Sequence, residues 1–360
     1  MFSFLEGKMK NGKYGFGIIG LGMISSFHAK AIGCLDDAWL VAGFDMVPGR
    51  AAAFCKDKEG VVPYDDLDEF LKNPDIDIVT VTTPSGAHMD VALKAMEAGK
   101  NVIVEKPMEV TVERIDRLIE CARKNKVMLS GVFQSRFNEV SRLVKKAIDE
   151  GRFGKLTLCD AQVKWFRSQE YYDSVGWRGT WKLDGGGALM NQGIHAVDLL
   201  QWLCGPVKSV MAFADTLGHE RIEVEDTAAA VLKFDNGAIG VIEGSTAVYP
   251  GFLKKLEICG TRGTAVIEEE SLKLWKFIDE TEEDAEICRK YVDGVEQRGG
   301  GGASDPASIS FTGHARCFAD VIRALSTGTE PEVTAQEARK SVEIITSIYK
   351  SAATGLLVAL

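Results

Sequence analysis

Three observations predict a two-domain chain, a doubly wound parallel α/β sheet followed by a strand-rich second domain. Over residues 14–133, short apolar runs alternate with segments of helical periodicity, the pattern of a parallel sheet covered by helices. Over residues 150–280, strand-like segments follow one another, and Asn236-Gly237 between two of them is a strong hairpin signal. The length of 360 residues exceeds one ordinary core and suits two domains of roughly 130 to 220 residues.

The elements are read in order. MFSFLEGKMKNGK carries an apolar run far too short for a signal peptide, broken by Glu6, and reads as an extension before the first strand. YGFGIIG, WLVAGFD, IDIVTVTT, NVIVE and VMLSGVF are the strands of the first domain, residues 1–134. DVALKAMEAG and VERIDRLIECARKNK space their apolar residues as helices do. In the second domain, residues 135–360, the strands are KLTLCDAQVKWF, VKSVMAFADTL, TAAAVLKF, AIGVIEGSTAVY, LKKLEICG and LKLWKF. RGGGGASDP, 298–306, is the one low-complexity stretch and reads as a flexible loop.

Composition narrows the function. Apolar and charged contents of 46% and 26% are those of a globular chain. No window reaches the about 18 apolar residues of a membrane span. A net charge of −10 with no basic stripe argues against nucleic acid. The eight cysteines form no CxxC pair, which argues against a zinc ribbon or a disulfide framework and for reduced thiols in a cytoplasm. No metal site is expected.

The first strand ends in GLGMIS. Gly20 and Gly22 match the first two glycines of a G-x-G-x-x-G fingerprint, Met23 and Ile24 follow in the turn, and Ser25 takes the third place. Such glycines let backbone approach a pyrophosphate at a helix N-terminus, although an ordinary βα turn has the same pattern. The second strand ends at Asp45, 23 residues after Gly22, where a carboxylate would accept from the adenine ribose hydroxyls. Alone, Asp45 reads better as a solvated turn residue. Together the two signals favour a dinucleotide, and the carboxylate favours NAD over NADP. Arg50, nearby, weakens that preference by offering Asp45 a counter-charge.

Two further strand ends carry chemistry, as expected where ligands bind in open α/β sheets. TTPSGAH contributes Thr83, Pro84 and His88, the last a structural or cofactor-loop histidine before a catalytic one. EKP contributes Glu105 and Lys106. Lys106 is either a solvated lysine on a strand stopped by proline or a cation placed where nicotinamide and a substrate hydroxyl meet. Finally, GGGALMNQGIHAVD, 185–198, puts Asn191, His195 and Asp198 within roughly 60° on one helical face.

These four motifs, in order and at these separations, resemble the Gfo/Idh/MocA family of NAD(P)-dependent oxidoreductases, from about Tyr14 to the C-terminal segment. The resemblance implies a Rossmann domain joined to an α+β domain with a large open, mostly antiparallel sheet, whose wide face makes a homodimer or homotetramer. It implies hydride transfer between nicotinamide and a secondary sugar hydroxyl, with Lys106 near the transferred hydride and His195 exchanging the hydroxyl proton. Many members carry Asp where this chain has Asn191, and an amide cannot carry the proton. The Asn form, within SQEYYDSVGWRGTWKLDGGGALMNQGIH, resembles the branch that oxidises C3 of UDP-N-acetylglucosamine-type sugars and their uronates. Arg136, Lys164, Arg167, Tyr171, Arg178, Trp181 and Asp198 are then candidate substrate contacts. The alternatives are a dehydrogenase of a free polyol or simple sugar, and a non-catalytic NAD- and sugar-sensing regulator.

Overall fold

The structure, a computed structural model, describes residues 12–292 and 310–360. The expected N-terminal extension (apart from its last residues) and the loop 298–306 lie outside the described residues.

The first unit alternates strand and helix: β1 (Tyr14–Ile19), α1 (Ser25–Gly33), β2 (Ala38–Phe44), α2 (Arg50–Cys55), β3 (Val62–Tyr64), α3 (Leu67–Lys72), β4 (Ile78–Val81), α4 (His88–Glu97), β5 (Asn101–Val104), α5 (Val112–Asn125) and β6 (Leu129–Gly131). The strands form one parallel sheet in the order β3-β2-β1-β4-β5-β6. Its central strands are buried along their whole length, as a sheet covered on both faces requires. Helix boundaries follow local capping: Thr111 Oγ1 accepts from Arg114 N at the start of α5, and Asp66 Oδ1 from Glu69 N at the start of α3. The edge strand β3 was not among the expected strands. It is three residues long, partly exposed and contains Pro63, so it carries no apolar run to recognise.

The second unit continues with α6 (Glu139–Asp149), β7 (Leu156–Lys164), α7 (Gln169–Asp173), α8 (Ile194–Cys204), β8 (Val207–Asp215), β9 (Thr227–Phe234), β10 (Ile239–Ser245), β11 (Lys255–Gly260), β12 (Gly263–Glu268), β13 (Ser271–Phe277) and α9 (Glu282–Ile287). The chain ends with α10 (Thr312–Thr327), α11 (Ala335–Thr354) and β14 (Val358–Ala359). The eight strands order as β13-β12-β11-β7-β10-β9-β8-β14, and β7 with β10 is the parallel pair among antiparallel neighbours. Burial alternates along each strand. One face takes Cys159, Ala161 and Val163 of β7 and is covered by α8, whose Cys204 thiol meets that of Cys159. The other face is open and carries Leu158, Met211, Phe213, Val231, Ile239 and Leu274.

The chain divides after Gln134, and residues 310–339 return to the first unit. A single boundary at 134 does not anticipate that return. Phe318 of α10 stacks on Phe16 of β1 at 5.8 Å, and Gly131 N donates to Val333 O. All eight cysteines are free thiols. Among the described residues no helix is long and apolar enough to cross a membrane.

Candidate active site

The turn after β1 is built for close backbone approach. Gly20 has φ +89°, and a Cβ there would stand 2.7 Å from Thr83 N, so no other residue fits without moving the β4 loop. A Cβ on Gly22 would meet nothing within 4 Å. Gly22 and Met23 are exposed, and Ser25 Oγ closes the turn by donating to Gly22 O at 2.6 Å. Asp45 braces the same turn: Oδ2 accepts from Leu21 N and Oδ1 from Val47 N, both at 2.8 Å. Arg50 reaches Asp45 at 3.3 Å with a half-exposed side chain, the pairing that weakens a choice between NAD and NADP from the carboxylate alone.

These features fit a dinucleotide. The space beside Gly22 is open, and buried Thr83 Oγ1 has no partner among the described residues. The turn Gly20–Ile24 would hold the pyrophosphate at the start of α1, with Asp45 at the ribose end and Thr83 and Pro84 beside the nicotinamide.

Two of the expected cofactor residues make contacts within the protein. His88 is buried, with Nδ1 2.9 Å from Pro107 O and Nε2 2.9 Å from Thr83 O. Burial pushes its imidazole pKa down. It ties the Thr83 loop to the segment after Lys106, the structural role the sequence allowed. Glu105 is also buried and turned inward, accepting from the Lys106 amide through Oε2 at 3.0 Å and meeting His28 and His314 through Oε1. Lys106 follows it at the carboxyl end of β5, half-buried, joined to Pro107 by a cis peptide.

In the second unit, the segment 185–198 is not one continuous α-helix. Ala188–Gly193 forms a π-helical turn, and α8 begins at Ile194, so 100° steps do not carry from Asn191 to His195. The glycines serve that turn: a Cβ on Gly187 would lie 1.9 Å from Glu225 O, and one on Gly186 2.2 Å from Tyr349 Oη. Glu225 holds it, accepting from Gly187 N, Leu189 N and Tyr349 Oη at 2.8–2.9 Å. Burial pushes the Glu225 carboxyl up to about 7 against those bonds. His195 is half-buried in the first turn of α8.

Around Asn191 lies a polar network. Its Nδ2 donates to Asp184 Oδ1, and its Oδ1 accepts from Gln192 Nε2 at 2.6 Å. Gln192 Nε2 also reaches Tyr171 Oη at 3.0 Å, and Arg167 Nη2 donates to Gln192 Oε1 at 2.8 Å. Arg178 lies 4.2 Å from the Tyr171 ring centre, and its buried Nε has no partner among the described residues. Trp181 is exposed and packs edge-on against Tyr349. Arg167, Tyr171, Arg178 and Asn191 are therefore brought together. Asp184 and Gln192 were not singled out as site residues. Their adjacency to the glycines and to Asn191 was the only signal.

Three expected substrate contacts do not join them. Arg136 and Asp198 are fully buried and pair bidentately, Nε to Oδ2 at 2.8 Å and Nη2 to Oδ1 at 2.6 Å. The pair ties the segment before α6 to α8. Lys164 lies on the open face of the sheet, bonded to Glu243 of β10. The sheet itself separates it from α8.

Residues 14–133 match an oxidoreductase family with an NAD-binding Rossmann fold, and residues 141–266 match the Gfo/Idh/MocA C-terminal domain. The chain belongs to the Gfo/Idh/MocA family. It is an oxidoreductase with an NAD-binding domain. The WlbA dehydrogenase of Bordetella pertussis, solved with NADH and UDP-GlcNAcA, is 36% identical, with 97% of this chain and 99% of that one covered and a TM-score of 0.85. The WlbA dehydrogenase of Chromobacterium violaceum, solved with the same two ligands, is 34% identical over 97% and 96% of the chains, with a TM-score of 0.86. The myo-inositol 2-dehydrogenase of Thermotoga maritima is 31% identical over 258 residues, 69% of this chain and 73% of its own.

Proposed function

We propose that the protein oxidises, reversibly, the C3 hydroxyl of a UDP-N-acetylglucosamine-type sugar, the uronate in particular. The support that carries the reading is the near full-length likeness to two dehydrogenases solved with NADH and UDP-GlcNAcA. The cluster of Arg167, Tyr171 and Arg178 adds cations and a ring face of the kind that bind a carboxylate or diphosphate. NAD, when bound, accepts the hydride from the carbinol carbon. His195 takes the hydroxyl proton, and Lys106 stabilises the oxygen as charge develops. Asn191 orients this chemistry through Asp184 and Gln192 and carries no proton itself. Asp45 favours NAD over NADP, since a carboxylate repels a 2′-phosphate.

A second reading is a polyol dehydrogenase, which the likeness to myo-inositol 2-dehydrogenase favours. Absorbance at 340 nm with NAD and a panel of UDP-GlcNAc, its uronate, myo-inositol and glucose separates the two. Signal with the UDP-sugars alone, lost in Lys106→Met while NADH still binds, is expected. Signal with inositol alone overturns the nucleotide-sugar reading, and turnover retained in Lys106→Met removes that lysine from the reaction. In this reading the chain works as a homodimer or homotetramer in the cytoplasm, joined through the open sheet face with its exposed Phe213, Met211 and Val231.

A further inference from the structure

The Glu105 carboxylate sits among groups that the reaction above does not use. His28 comes from α1, directly after the glycine turn, and His314 from α10, nearly three hundred residues on. Both imidazoles are buried and their rings lie 5.5 Å apart. His28 Nε2 stands 2.8 Å and His314 Nε2 3.3 Å from the same Glu105 oxygen, Oε1. The other oxygen, Oε2, accepts the backbone N–H of Lys106 at 3.0 Å. One carboxylate thus links both histidines to the peptide from which the lysine projects.

We propose that His28 and His314 are positioning residues for Lys106, acting through Glu105. This rests on the reading of Lys106 as the lysine at the reacting hydroxyl. Burial works against the Glu105 charge, yet hydrogen bonds from the two histidines outweigh it and hold the carboxyl well below its usual range. Burial pushes His28 the other way, toward the neutral ring, which donates Nε2–H to the carboxylate. An ionised Glu105 then accepts at both oxygens and fixes the Lys106 backbone against α1 and α10. The three ligand atoms lie within 4.8 Å of one another, close enough to hold a metal ion. The chemistry argues for hydrogen bonds instead. Nδ1 of each ring is buried with no partner among the described residues, whereas a metal-bound imidazole nearly always anchors its second nitrogen.

The test compares His28→Leu and His314→Leu, singly and together, with the corresponding Gln variants, which keep an N–H donor. Hydrogen exchange of the peptide containing Lys106 is read by mass spectrometry, NADH affinity by fluorescence, and kcat and KM with the UDP-sugar. In the Leu variants the Lys106 peptide is expected to exchange about tenfold faster. The same variants should lose up to about 100-fold in kcat, as small displacements of a reacting group do, with KM and NADH affinity held. The Gln variants should recover both. Unchanged exchange in the Leu variants overturns the proposal, as does a Gln variant behaving like its Leu counterpart or a stoichiometric metal ion lost on His28→Gln. Exchange needs no substrate, so it decides the role of the cluster even if no sugar in the panel is turned over. Should the double Leu variant fail to fold, the single His314→Leu carries the comparison.

Discussion

Removing one member of a buried ion pair leaves the other charged group away from water without its counter-charge, which costs more than the pair contributed. Arg136 and Asp198 form such a pair, with Ser341 Oγ also donating to Asp198 and the Trp202 ring beside the guanidinium. Asp198→Leu is therefore expected to destabilise the protein by roughly 3–5 kcal/mol in urea titration, with KM for the sugar unchanged where the variant is folded. A raised KM at unchanged stability would return Asp198 to the substrate site. The sequence placed Asp198 in line with His195 and so suggested a shared role. Spacing along a helix states which side chains share a face, not what that face meets. Asp198's partner lies 62 residues upstream, where no local pattern points. The positive φ of Gly20 and the carboxylate of Asp45 at the end of β2 were legible because this arrangement recurs wherever a strand meets a helix in this way, even though the bond bracing Asp45 spans 24 residues.

At the scale of one element, the π-turn Ala188–Gly193 hangs on Glu225. Burial raises the Glu225 carboxyl from its ordinary 4.5 to about 7, so the folded state binds that proton more tightly than the unfolded chain does. The stabilisation is fully present below pH 4.5 and is lost as pH rises through about 7. Relative to Glu225→Gln, which cannot titrate, the wild type should lose on the order of 3 kcal/mol across that window, read as Tm against pH. Parallel Tm curves for the two proteins would mean that Glu225 does not change charge there. Of the strands in this unit, six were legible as apolar runs. β12 and β14 were not: Gly263–Glu268 has neither a long apolar run nor a turn signal on both sides, and β14 is two residues that pair only because β8 offers an edge. The π-turn was invisible for a different reason. Its backbone follows from contacts with Glu225 and Tyr349, which lie far off in sequence.

At the scale of the whole molecule, the alternation of the eight-stranded sheet leaves one face without cover among the described residues. Phe213 is 79% exposed there, on the same face as Met211 and Val231, which pair across β8 and β9. In the proposed assembly this apolar surface is what a subunit contact would cover. Phe213→Glu should lower the mass measured by light scattering to that of a smaller assembly while circular dichroism stays unchanged; an unaltered mass would place the subunit contact elsewhere.

The return of residues 310–339 to the first unit bears on how the chain is made. Phe318, packed on Phe16, and His314, bonded to Glu105, are synthesised after every strand of the parallel sheet and after strands β7 to β13. A nascent chain that has emitted every strand of the parallel sheet still lacks one wall of that sheet's core. The nucleotide-binding unit is thus completed only after β7 to β13 of the second unit have followed its own strands, and a chain cut short within them leaves the first unit with its core still open.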